Sequence, residues 1–172
     1  ELAKREASAR VIMMDPNIRP LFITEPGIYR KRLTQMIACC DILKVSNDDL
    51  HWIISGDATL KEKALTLRAL GPKVVIVTKG SEGAVAYLPN EESVEAAAHK
   101  VSVVDTVGAG DTFNAGVLAK LSQLGLLTKE TISSLDADDM LTALRFGSKV
   151  ASITVSRAGA NPPTLAELSQ GF

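Results

Sequence analysis

Apolar positions along the chain follow two periods. Short, mostly apolar runs occupy residues 11–15 (four apolar residues ending in Asp15), 41–45, 74–78 and 84–88, and longer stretches between them repeat an apolar residue every three or four positions. The first pattern is that of strands buried on both faces, the second that of amphipathic helices. Residues 1–9 read as a helix running straight into the first strand. Pro16 and Pro20 break the chain into a loop, after which Thr24 is expected to cap a helix with Ile28, Leu33, Met36 and Ile37 on its apolar face. Ser46 or Asn47 is expected to cap a helix through Trp52 to Ile54, and residues 60–70 form another, closed by Gly71-Pro72. The β-branched run 74–78 is followed by a turn over 79–83 and a returning hairpin strand, and residues 89–92 turn again towards a short edge segment. Val101, Val103 and Val104 make a strand-like run. Helices are expected over 112–124 and 140–155, with a polar loop carrying Asp136, Asp138 and Asp139 between them. Residues 157–163 read as a loop and 164–168 as a last short helix.

Apolar strands alternating with helices predict a mostly parallel sheet with one antiparallel hairpin, covered on both faces. The expected fold class is therefore α/β, a three-layer α/β/α Rossmann-like domain, and no repeat or linker divides the chain. Ligands of such sheets bind beyond the carboxyl ends of the strands. The loops that follow residues 15, 45, 78 and 104 each carry polar or glycine residues.

Composition narrows the function. The 172 residues are enough for one sizeable core. Nineteen basic residues against twenty acidic ones give a net charge of -1, which supports neither a nucleic-acid nor a membrane partner. No apolar run approaches the roughly 20 residues needed to span a bilayer. Cys39 and Cys40 are adjacent, with no His or Cys cluster to complete a metal site, so both read as buried or half-buried thiols of a cytoplasmic protein. Because Glu1 opens on mid-fold material, the chain reads as a piece of a longer protein, or one whose earlier residues are unobserved.

The chemistry concentrates in residues 105–111, Asp-Thr-Val-Gly-Ala-Gly-Asp, between the strand-like run and a helix. Glycines at a helix opening leave unpaired N–H groups, and with the helix dipole these favour an anion. Asp111 stands in the same region. It could serve as a cap, or as a base beside a bound phosphate. An anion cradle with an adjacent base is the minimum for phosphoryl transfer to a hydroxyl. Two other phosphate loops are excluded: no Gly-x-x-x-x-Gly-Lys-Ser/Thr string occurs, and Phe113 stands where a dinucleotide fingerprint needs a small residue.

The string Asp105-Thr-Val-Gly-Ala-Gly-Asp-Thr-Phe113 resembles the C-terminal signature of ribokinase-like (PfkB) carbohydrate kinases. Asp15-Pro-Asn-Ile-Arg-Pro20 resembles a loop of the fructokinase and 2-keto-3-deoxygluconate kinase branch. Lys44-Val-Ser-Asn-Asp-Asp49 resembles the family's acidic loop, Thr78-Lys-Gly-Ser-Glu-Gly83 its nucleotide-binding turn, and Thr154-Val-Ser-Arg-Ala-Gly-Ala160 its C-terminal loop. The match runs over essentially the whole chain but corresponds to the second half of the family's usual length, without the lid and most sugar contacts.

The resemblance implies a role for each motif. Asp111 is the base for the acceptor hydroxyl, and the amides of Gly108, Ala109 and Gly110 are an anion hole. Thr78, Gly80, Ser81 and Gly83 line the ATP pocket. Asn17 and Arg19 face the sugar or the γ-phosphate, where the Arg fork suits a carboxylate or phosphate. Asp49 orients Mg²⁺ through water, and Asp105 with the carbonyl of Val107 holds a monovalent cation such as K⁺. Ser46 and Asp49 replace the family's frequent Asn and Glu, and the shorter Asp shortens the reach towards a metal. Each motif also has a plainer reading: a tight turn capped by Asp111, a Pro-bounded surface loop, a first-turn carboxylate at Asp49, a simple hairpin at 78–83. The expected activity is transfer of the ATP γ-phosphoryl group, with Mg²⁺, to a hydroxyl of a small sugar, fructokinase-like first. 2-Keto-3-deoxygluconate and ribo(nucleo)side kinases are alternatives, as is a nucleotide-binding fragment inactive alone. Family membership also implies a homodimer in the complete protein.

Overall fold

Strand pairing follows from the apolar runs. In the computed structural model, which describes residues 1–169, the strands are β1 (Met13–Met14), β2 (Ile42–Ser46), β3 (Val74–Thr78), β4 (Ala84–Tyr87) and β5 (Ser93–Ala96). They form one sheet in the order β1-β2-β3-β4-β5. The pairs β1/β2 and β2/β3 are parallel, and β3/β4 and β4/β5 are antiparallel. The helices are α1 (Leu2–Glu6), α2 (Pro26–Ile37), α3 (Asn47–Ile53), α4 (Leu60–Arg68), α5 (Ala109–Gln123), α6 (Lys129–Ser133), α7 (Ala137–Val155) and α8 (Leu165–Ser169).

Side chains alternate across each strand and so feed two cores. Ile42, Val74, Ile76 and Ala86 pack with Phe113, Val117 and Leu144 of α5 and α7. Leu43, Val45, Val75 and Val77 pack with Leu33, Leu50 and Leu67 of α2, α3 and α4. Helices on both faces of a central sheet give the expected three layers. α5 and α7 approach so closely that a Cβ on Gly116 would lie 2.8 Å from the Gly147 Cα. These two glycines set how closely α5 and α7 pack.

Four local expectations are corrected. Residues 101–104 form no strand, and Val103 and Val104 are 61% and 62% exposed. The segment is held instead by the amides of Val104 and Asp105, which donate to the Val155 carbonyl at 2.8 and 3.2 Å. α5 starts at Ala109 rather than Thr112, because Gly108 takes φ +79° and turns the chain directly into the helix. Glu25, not Thr24, is the N-cap of α2, with no side-chain bond, and Pro26 opens that helix with a ready φ. The polar stretch before α7 contains α6, capped by Thr128, and Asp136 caps α7 by accepting from the Asp139 amide at 2.9 Å. Ser46 caps α3 as expected, accepting from the Asp49 amide at 3.0 Å. Among the described residues no helix is long and apolar enough to cross a membrane.

Candidate active site

The first turn of α5 faces the carboxyl end of the parallel strands. Gly108 is its cap, and a Cβ there would lie 3.1 Å from the Ala160 Cβ, so the loop after α7 packs directly on the turn. The amides of Gly108, Gly110 and Asp111 have no protein acceptor among the described residues, whereas Ala109 donates to the Thr106 carbonyl at 3.2 Å. The open donors are thus Gly108, Gly110 and Asp111, and of the sequence-expected set Ala109 is engaged in the turn. Asp111 is exposed in this first turn and belongs to none of the ion pairs of the described residues. Asp111 thus shares the turn of the open amides, and among the described residues no Lys or Arg pairs with its carboxylate.

A cavity of about 530 Å³ opens beside the turn. Ala109, Gly110 and Phe113 of α5, Ser148 and Ser152 of α7, and Thr78, Gly80, Ser81 and Gly83 at the β3–β4 hairpin line it, while Gly108 and Asp111 are not among its lining residues. The size is within the range of ordinary small-molecule pockets. Gly83, at φ +104°, could carry no side chain: a Cβ would fall 2.1 Å from the Ala96 carbonyl oxygen of β5. The Thr78 hydroxyl donates to the Val45 carbonyl at 3.4 Å, which ties the start of the hairpin to β2. His99 and Lys100 also line the cavity, and nothing in their sequence neighbourhood marked them.

Asp105 is a staple. Its Oδ1 accepts from the Val107 amide at 3.0 Å and its Oδ2 from the Gly159 amide at 2.9 Å, joining the turn before α5 to the loop after α7. These bonds, the Val107 amide first, hold its carboxyl below the usual range. Asp49 is buried, and its Oδ1 accepts from the Ile18 amide at 3.0 Å. It therefore holds the loop after β1, and its second oxygen has no donor among the described residues. That loop carries Asn17, at φ +46°, and Arg19, both exposed, with the Arg19 guanidinium donating to the Ile18 carbonyl at 3.0 Å.

Beneath the cradle lies a polar group that the motifs did not single out. Lys44 Nζ of β2 donates to Asp15 Oδ2 at 2.9 Å, and Asn114 Nδ2 of α5 donates to the same oxygen at 3.1 Å. The signal was in the sequence: Lys44 shares the strand face of Ile42, where the pattern demands an apolar residue.

A family model described as pfkB family carbohydrate kinase matches residues 1–167. A fructokinase of Rhizobium leguminosarum bv. trifolii is 47% identical over 138 residues, covering 78% of this chain and 41% of that protein. An aminoimidazole riboside kinase from Salmonella enterica, solved with aminoimidazole riboside and an ATP analogue, superposes with a TM-score of 0.73 at 27% identity, over 87% of this chain and 47% of that one. A fructokinase from Xylella fastidiosa with bound ATP shares the fold with a TM-score of 0.81 at 23% identity, over 92% of this chain and 50% of that one. The chain spans about half the length of the proteins it matches.

Proposed function

The chain belongs to the pfkB family of carbohydrate kinases, and from that premise we propose that it supplies the phosphoryl-transfer half of an ATP-dependent, fructokinase-like sugar kinase. One observation carries the reading: free amides open α5 in the same turn as Asp111, which no described Lys or Arg pairs, and Ala109 and Gly110 of that turn line a cavity shared with the glycine-rich hairpin. In this reading ATP occupies that cavity, with the hairpin glycines letting the backbone approach the nucleotide. Asp111 accepts the proton of a sugar hydroxyl as its oxygen attacks the γ-phosphorus. The bond to the β-bridging oxygen breaks and ADP leaves. Charge building on the phosphoryl oxygens meets the amides of Gly108, Gly110 and Asp111, donors already in place and needing no reorganisation. Asp49 fits a role as water-mediated holder of Mg²⁺ through its unengaged oxygen, where the metal would screen phosphate charge. Asp105 and the Val107 carbonyl fit a monovalent cation less directly, since both oxygens of Asp105 already accept amides. Asn17 and Arg19 would meet the sugar. The setting is cytoplasmic, consistent with two free cysteines, and the complete protein would be a homodimer.

The test is sugar-dependent ADP release by the full-length protein across ketohexoses, keto-deoxy acids and ribosides. Fructose is expected to be the best acceptor. Asp111→Asn is expected to lower kcat by about 10²–10⁴-fold, the usual worth of a general base, with ATP affinity little changed. Normal turnover in that variant would refute the assignment of the base. Since the chain spans about half the length of its relatives, the 172 residues alone are proposed to bind ATP without turning it over. Calorimetry on this piece checks that.

A further inference from the structure

A lysine in the middle of a core strand has to be accounted for. Lys44 lies on β2 between Leu43 and Val45, both fully buried, and its own side chain is 7% exposed. A buried ion pair is costly to desolvate, and replacing one with apolar residues is often neutral or stabilising. Stability alone therefore gives no reason for charge at this position. The side chain does reach a specific place. A Cβ on Gly110 would lie 3.3 Å from Lys44 Nζ and 3.7 Å from Asp15 Oδ2. Gly110 sits inside α5 with no positive φ, so its missing side chain is explained by the ammonium beneath it and not by backbone strain.

Asp15 joins the remaining parts. Its Oδ2 takes Lys44 from β2 and Asn114 from α5, and its Oδ1 takes the Asn17 amide at 3.2 Å. One carboxylate thus binds the central sheet, the helix that opens the anion cradle, and the loop that carries Asn17 and Arg19. Asn114 Oδ1 is buried without a partner, a cost that an apolar residue at this place would not incur.

We propose that Lys44, through Asp15 and Asn114, is a positioning residue that locks the acceptor loop and the first turn of α5 into one rigid arrangement, so that the sugar hydroxyl and the migrating phosphoryl meet in line. The inference rests on the kinase reading for its catalytic consequence. Small displacements of positioned groups are costly to rate even when binding survives.

In the full-length protein, Lys44→Met is expected to reduce kcat tenfold or more while KM for ATP and sugar stays within about threefold. Asn114→Leu is expected to lower kcat in the same direction, and the double variant to lose less than the product of the single losses, because both act through Asp15. Lys129→Met, which breaks the other buried lysine–aspartate pair, is the control and should lower the melting temperature without changing kcat. A kcat within twofold of wild type for Lys44→Met, or multiplicative losses in the double variant, would overturn the proposal. Should Lys44→Met fail to fold, Asn114→Leu decides by the same threshold. If no sugar supports turnover, the kinase reading fails, and the positioning role is read from inorganic tripolyphosphate binding, followed by the backbone resonances of Gly110 and Asp111. Lys44→Met should then weaken that binding tenfold or more, and unchanged affinity would sink it.

Discussion

Two lysine–aspartate pairs are set into the same sheet, one at each end. At the amino end, Asp41 precedes β2 and takes Lys129 Nζ of α6 on both oxygens at 2.8 and 2.7 Å, and the Ile12 amide at 2.7 Å. At the carboxyl end, Asp15 follows β1 and takes Lys44, Asn114 and the Asn17 amide. Both carboxylates are saturated and half to fully buried, and both tie a helix to the strands. The difference lies in what each borders. The Asp41 pair abuts strand starts, where a parallel sheet offers no ligand crevice. The Asp15 pair lies under the open amides of α5, where such sheets bind ligands. The same chemistry is a brace in one place and part of a working site in the other.

The largest effect should come from breaking the brace. Asp41→Ala leaves Lys129 and the Ile12 amide without their acceptor. Breaking a buried pair costs about 3–5 kcal/mol, and because Lys129 is a quarter exposed the expected loss is about 2–3 kcal/mol in urea unfolding. kcat of the folded protein should be unchanged. A loss of turnover comparable to that of Lys44→Met would erase the distinction between the two ends.

Gly110→Ala probes the working end with the opposite signature. Alanine favours a helix, so stability should stay within about 1 kcal/mol of wild type. The new Cβ would press on Lys44 Nζ at 3.3 Å, and that ammonium is held by Asp15, which Asn114 and the Asn17 amide hold in turn, so the turn shares the shift with the lysine. Turnover should fall about tenfold, worth about 1.4 kcal/mol in the transition state. Steady-state kinetics beside thermal melts checks both halves, and a variant that is both stable and fast would mean that the cradle tolerates displacement.

The comparison also marks what was readable from the sequence. Periodicity gave the layers and β2, β3 and β4 nearly residue for residue, because strands buried on both faces have little freedom in composition. It failed at Val101, Val103 and Val104, three apolar residues that look like a strand but are held by the end of α7, a contact no local pattern encodes. α6 was missed because its five residues depend on the Thr128 cap and not on an apolar stripe. At the candidate site, the glycines and Asp111 stood out because backbone geometry restricts what can occupy a helix opening. Asp49 was read as a metal holder, and its buried bond to the Ile18 amide was invisible. Lys44 was in plain view within a quoted motif, yet its partners lie 29 residues before it at Asp15 and 99 beyond that at Asn114. Only the fold brings them together.

A third ion pair, half-exposed rather than buried, tests whether burial or location governs the effect. Arg157 in the loop after α7 pairs with Glu167 of α8, whose other oxygen accepts from the Thr164 amide at 2.7 Å and hydroxyl at 2.9 Å. The Thr164 amide is the main cause, with Arg157 and the hydroxyl behind it, and together they lower the Glu167 carboxyl from 4.5 to about 2. A depressed folded value means that the stabilisation is present above the unfolded value and is lost as pH falls. The start of α8 should therefore be secure at pH 5 and release progressively towards pH 2. The global effect should be small, because solvent screens a half-exposed pair. The local effect should be visible, since the released segment adjoins Gly159, which donates to Asp105 beside the cradle. An NMR titration of the Glu167 carboxyl is the measurement, with Thr164 amide exchange followed over the same range. Glu167→Gln should abolish the pH dependence of that exchange between pH 5 and 2. If Glu167 titrates at its ordinary value, the loop after α7 owes nothing to this carboxylate, and the packing of Ala160 on Gly108 rests on the Asp105–Gly159 bond and apolar contact.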